Sequence, residues 1–197
     1  SSSGIPASRF TSECKNRDRF MIAHPVNPPH LVPVVEVVPA PWTDGEAVDR
    51  VIELMREIKQ VPVRLTREID GFVLNRLQGV LLNEAWALYE EGIASLADID
   101  ATIAHGLGLR WSFMGPFETI DLNAPGGIED YAARLRDLYA GMVRTPPPGA
   151  WSDDVIQKAA EERRAALPAD KLADRRAWRD AILGRLAAFK KSEHLTG

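Results

Sequence analysis

The sequence predicts an α/β remnant, the last strands of an open sheet over residues 1–66, followed by an all-α, multi-helix domain over residues 67–197. Three observations carry this reading. Two apolar runs, Asp18 to Ala23 and Leu31 to Val38, are separated by Pro25, Pro28, Pro29 and Pro33, which keep the connection out of helix. A third apolar run, Val61 to Thr66, follows one helix-period segment. From residue 67 onward every patterned segment has helical period, and none reads as a strand.

Taken in order, Asp18 to Ala23 and Leu31 to Val38 are the first two strands. Thr43-Asp44-Gly45-Glu46 reads as a capping box with Thr43 at the N-cap. It opens a helix whose apolar positions Val48, Val51, Ile52, Met55 and Ile58 recur with helical spacing. Val61 to Thr66 closes the sheet portion, and Asp70 is placed as the cap of a long helix entered through Gly71. Ser95-Leu96-Ala97-Asp98 is a second capping box, for a helix expected to end at Gly106 and Gly108. Pro116 at a first helical position starts another helix, residues 128–142 continue the pattern, and Thr145 to Gly149 is a proline-rich loop. Two final helices are expected, one from near Ser152 and one from about Ala169 to Lys191. Three strands and one helix are too few to make a stable open sheet, so the chain reads as truncated at its front.

Composition bounds the partners. The net charge is −4, and Lys and Arg are interspersed with Asp and Glu, which argues against a nucleic-acid footprint. A single cysteine, Cys14, rules out an intramolecular disulfide and suits a reducing, cytoplasmic setting. No apolar run approaches the roughly 20 residues that span a bilayer, so no membrane partner is expected.

The chemistry centres on His24 and Glu36. Each sits in an apolar run, and adjacent strands would bring the two together. A carboxylate inside Val34-Val35-Glu36-Val37-Val38 is costly to bury without a partner, and an imidazole N–H is a suitable one. Taken alone, the two residues read more readily as a rim histidine and an edge-strand carboxylate. Asn75, in the first turns of its helix, and Ser3, beside a glycine, are uninformative singly. A metal site from His24, His30 and Glu36 lacks ligand spacing, and no metal is expected.

Together these segments resemble a family. Ser3-Gly4, His24-Pro25-Val26-Asn27-Pro28, Val35-Glu36-Val37, Gly71-Phe72-Val73-Leu74-Asn75-Arg76, Glu90-Glu91-Gly92, Asp98-Ile99-Asp100 and Met114-Gly115-Pro116-Phe117-Glu118 occur in the order found in the L-3-hydroxyacyl-CoA dehydrogenase family. His24-Pro25-Val26-Asn27-Pro28-Pro29 and Gly106-Leu107-Gly108-Leu109-Arg110 are most similar to its lambda-crystallin branch, which includes L-gulonate 3-dehydrogenase. The resemblance implies that residues 1–66 are the C-terminal portion of a Rossmann-type NAD-binding domain, and residues 67–197 a helical substrate-binding and dimerisation domain. It implies NAD as cofactor, and oxidation of the 3-hydroxyl of an L-3-hydroxy acid or 3-hydroxyacyl-CoA to the 3-keto product. His24 then matches the catalytic base, Glu36 its orienting carboxylate, and Ser3 and Asn75 the residues that hold the substrate oxygen. Ser3 and Asn27 are the cofactor-side candidates, and Arg110 is a candidate partner for a substrate carboxylate. With Asn75 assigned to the helical domain, the site is expected in the cleft between the two domains. No Gly-x-Gly-x-x-Gly turn occurs in the chain, so on its own it is expected to bind NADH weakly or not at all and to be inactive. The alternative is a non-catalytic, crystallin-like protein that pairs through its helices, and a homodimer is expected on either reading.

Overall fold

In the computed structural model, which describes residues 2–142 and 152–194, the chain forms two compact units. One comprises Ser1–Val80 with Ala173–Gly197, the other Leu81–Leu172. The expected loop from Thr145 to Gly149 lies outside the described residues.

The first unit is built on a three-stranded sheet in the order β1-β2-β3. Strand β1 (Met21–Pro25) pairs antiparallel with β2 (Val34–Pro39), and β2 pairs parallel with β3 (Val61–Arg64). All three predicted strands are present, with the first shifted by two or three residues. A one-turn helix α1 (Ser8–Thr11) precedes them, and α2 (Gly45–Glu57) makes the crossover from β2 to β3. The sheet has two packed faces. On one, Ile22 and Val38 join Ala7, Ala40, Leu65 and Phe72 in a buried cluster; on the other, Val37 packs against Val48 and Ile52 of α2. Strand β2 is therefore buried on both sides, which is why its sequence is a run of β-branched residues and not an alternation.

Helix α2 starts one residue later than the sequence suggested. Its N-cap is Asp44, whose carboxylate accepts from the Glu46 N–H. The Thr43 hydroxyl is already engaged, donating to the Phe20 carbonyl and accepting from the Ala40 N–H, so it cannot cap.

Helix α3 (Leu74–Glu90) also starts later than expected. Asp70 does not cap it: its carboxylate pairs with Arg9 at 2.7 Å. Between Asp70 and the helix, Gly71 (φ +77°) and Phe72 (φ +52°) are both left-handed, and the helix begins only after this reversal.

The second unit is helical. After α3 come α4 (Leu96–Thr102), a π-turn (Ile103–Leu107), α5 (Gly108–Trp111), α6 (Pro116–Leu122), α7 (Gly127–Gly141) and α8 (Asp153–Ala166). Ser95 caps α4 as predicted, accepting from the Asp98 N–H at 3.1 Å, and Pro116 opens α6 behind an N-cap Gly115. Gly106 and Gly108 do not end α4, because the chain passes through the π-turn into α5. A Cβ on Gly108 would lie 2.8 Å from the Ile103 carbonyl oxygen, so glycine is what lets the widened turn close. Helix α9 (Leu172–Ser192) matches the last predicted helix, and from Ala173 onward it is grouped with the first unit. Among the described residues no helix is long and apolar enough to cross a membrane, and no strand follows residue 67.

Within this unit the Tyr89 hydroxyl donates to Glu162 Oε1 at 2.8 Å. Burial first, then this bond and the carboxylate charge, push the Tyr89 phenol from 10.0 up to about 12. The neutral phenol is thus the form the fold favours. Its contribution is complete below pH 10 and is lost as pH rises through 12. An ultraviolet tyrosinate titration should show an ionisation near pH 12 that disappears in Tyr89→Phe; if the variant retains that step, the assignment is wrong.

Candidate active site

The strand register decides the central pair. His24 lies directly opposite Glu36 across the antiparallel β1–β2 ladder, so both side chains leave the same face of the sheet. Both are buried, Glu36 with 2% of its surface exposed and His24 with 7%. His24 Nδ1 lies 3.0 Å from Glu36 Oε2. A carboxylate only accepts, so this bond needs the proton on Nδ1 and leaves Nε2 with its lone pair in the neutral ring.

The other Glu36 oxygen is held just as closely. Oε1 accepts from the backbone N–H groups of Val73 at 2.8 Å and Leu74 at 2.9 Å. These amides are among the first donors of α3, which have no partner inside their own helix, so a side chain from β2 caps a helix 37 residues further along. Desolvating a carboxylate costs several kcal/mol. Three charge-assisted hydrogen bonds, each worth about 1.5–3 kcal/mol, are enough to offset that.

The left-handed Gly71-Phe72 pair aims those amides. A bulky side chain in that conformation costs about 1–2 kcal/mol. Phe72 is completely buried in the cluster with Ile22, Val38 and Leu65, and burial of such a ring contributes about 1.5–3 kcal/mol, so packing outweighs the strain. Its ring also faces the imidazole of His24, with centroids 5.6 Å apart and planes tilted by 57°.

Ser3 and Asn75 are brought together beside this pair. The Asn75 side-chain amide donates to the Ser3 backbone carbonyl, and the Gly71 N–H donates to the Gly4 carbonyl at 2.9 Å. The Ser3–Gly4 segment is thereby pinned to the entrance of α3. The approach is close enough that a Cβ on Gly4 would be in van der Waals contact with Gly71 Cα, at 3.5 Å. The Ser3 hydroxyl takes no partner among the described residues. Asn27 is exposed on the β1–β2 connection, just beyond the carboxyl end of β1, and its peptide with Pro28 is cis.

Ser3, His24, Glu36 and Asn75 share the first compact unit. The division falls inside α3, after Val80, because the start of that helix is tied to β2 through Glu36. Arg110 lies on α5 in the second unit, where its charge draws down the Tyr131 phenol; the Tyr131–Tyr139 hydroxyl bond, followed by burial, raises that phenol on balance. Sequence reasoning missed Phe72 and the Val73 and Leu74 amides. The one local signal was a Gly-Phe step between Asp70 and the helix, which read as a helix entry.

A sequence model described as the NAD binding domain of 3-hydroxyacyl-CoA dehydrogenase matches residues 1–69. A second, described as the C-terminal domain of the same enzyme, matches residues 71–171. The chain belongs to the 3-hydroxyacyl-CoA dehydrogenase family. Within this family, a lambda-crystallin homolog from Bos taurus is 45% identical over 96% of this chain and 60% of its own length. An L-carnitine dehydrogenase from Pseudomonas aeruginosa is 33% identical over 98% of this chain and 61% of its own. Among solved structures, a 5-formyl-3-hydroxy-2-methylpyridine 4-carboxylic acid 5-dehydrogenase, described as an NAD+-dependent dismutase, is similar with a TM-score of 0.74 and 25% identity. That match covers 100% of this chain and 62% of the other. The chain thus spans about three-fifths of the length of the curated relatives it matches. The family resemblance read from the ordered motifs and the family found by comparison agree.

Proposed function

We propose that the chain supplies the proton-transfer site of an NAD-dependent dehydrogenase that oxidises the 3-hydroxyl of a small L-3-hydroxy acid. The observation that carries this reading is the buried His24–Glu36 pair, in which every oxygen of the carboxylate is committed and the imidazole has one defined role left. His24 Nε2 takes the hydroxyl proton while the C3–H bond gives up its hydride and the carbonyl forms. Glu36 holds the ring in the required tautomer and stabilises the imidazolium that results. Asn75 and the Ser3 segment hold the substrate oxygen as its charge grows. His24 and Glu36 move protons only, and the oxidation needs a separate hydride acceptor, which fits a nicotinamide. Bound NAD would supply that acceptor, with Ser3 and Asn27 the residues here that would hold it.

A free acid is favoured over a CoA ester by two features. The relative from Pseudomonas aeruginosa is named for L-carnitine, itself a small 3-hydroxy acid. The chain also carries a net charge of −4 and no basic track for CoA phosphates. Initial rates of the dehydrogenase on L-gulonate, L-carnitine and 3-hydroxybutyryl-CoA test this. We expect kcat/KM for at least one free acid to exceed that for the ester by about a hundredfold. Equal or better use of the ester would sink the free-acid reading.

The enzyme is proposed to pair through its helical unit, where Phe117, Leu122 and Leu109 expose 75%, 68% and 63% of their surface. Light scattering at micromolar concentration should give twice the mass of the chain, and a monomer would exclude pairing through these residues.

A further inference from the structure

We infer that Phe72 is a positioning residue that sets His24 and Glu36 at once, one through its ring and the other through its backbone. The ring, buried in the cluster on the catalytic face, stands 5.6 Å from the imidazole at a 57° tilt and forms a wall of the space in which that ring can turn. The backbone, left-handed at φ +52° directly after the left-handed Gly71, turns the chain so that the next two N–H groups converge on Glu36 Oε1. A bulky residue in this conformation is a genuine outlier, and such strain persists only where the surroundings over-determine it. Here they do so from three sides: the Ile69 carbonyl accepts from the Phe72 N–H at 3.1 Å, the cluster encloses the ring, and the Glu36 carboxylate anchors the two amides that follow. Glycine would adopt the backbone freely but supply no wall. A β-branched residue would fill part of the cluster but resist the turn.

The two roles separate by substitution. With the 197-residue chain labelled with 15N-histidine, long-range proton–nitrogen spectra read the His24 tautomer, its signals being assigned by their loss in His24→Gln. Amide exchange at Val73 and Leu74 reads the hold on Glu36. In Phe72→Leu, which keeps most of the core volume, the minor Nε2–H tautomer should rise severalfold over wild type. Phe72→Gly should also spread the tautomers while leaving the two amides protected, and Phe72→Val should speed their exchange by about tenfold or more. Leu65→Val, taken from the same cluster, is the control and should move neither signal. A folded Phe72→Leu chain with the wild-type tautomer ratio overturns the inference, as does a Leu65→Val chain that shifts it equally. The catalytic consequence rests on the function proposed above, but the tautomer readout does not. A chain whose His24 behaves as described, in an enzyme inactive on hydroxy acids, would sink the function and leave the positioning role standing.

Discussion

Replacing Glu36 by glutamine is expected to lower dehydrogenase turnover about 10⁴-fold while the chain stays folded. The amide has the shape of the carboxylate but only one accepting oxygen. If that oxygen stays with the Val73 and Leu74 N–H groups, the amide NH₂ faces His24 Nδ1. Nδ1 must then accept, the ring proton moves to Nε2, and the base is lost. In the flipped orientation the NH₂ would face two partly buried N–H groups, and both would lose their acceptor. Two lost bonds outweigh one, so the first orientation prevails and its consequence is the wrong tautomer. Turnover of Glu36→Gln within about tenfold of wild type would remove Glu36 from the orienting role, provided circular dichroism shows the fold intact.

Asn75→Asp should cost about 10²–10³ in kcat, the usual loss when one donor to a developing oxyanion is removed. The substitution turns the amide that donates to the Ser3 carbonyl into a group that can only accept, so two oxygens meet where one bond was. The Ser3–Gly4 segment should loosen from the entrance of α3, and exchange of the Gly71 amide, which donates to Gly4, should accelerate. Helix α3 itself should persist, because a carboxylate in the first turn of a helix is favoured by the exposed amides there. Slower turnover without faster Gly71 exchange would assign Asn75 to the substrate alone. A change in kcat smaller than about threefold would take it out of the oxyanion role.

Much of this site was legible in the chain because its signals are local. The β-branched run around Glu36 marked β2 as a strand buried on both faces, and a charge inside such a run demanded a partner. The Pro-rich reversal after His24 required a neighbouring strand, and Ser95 and Pro116 marked helix starts through groups within three residues of each other. The errors arose where the deciding contact was remote. Thr43 looked like the cap of α2, but the Phe20 carbonyl had claimed its hydroxyl. Asp70 looked like the cap of α3, but Arg9 had claimed its carboxylate, and the cap came from Glu36 instead.

The sequence by itself determined the chemical types available, the strand and helix periods, and the family. Only the tertiary structure decided what each group is bonded to. Glu36 could have been an unpaired edge carboxylate until the β1–β2 register set it opposite His24 and the turn at Gly71 and Phe72 brought two backbone amides onto its other oxygen. Backbone amides carry no residue identity, so no reading of side chains could have found them. A hydrogen-bonded helix start needs a partner for its first N–H groups, and which partner wins is settled by what the folded chain places within 3 Å.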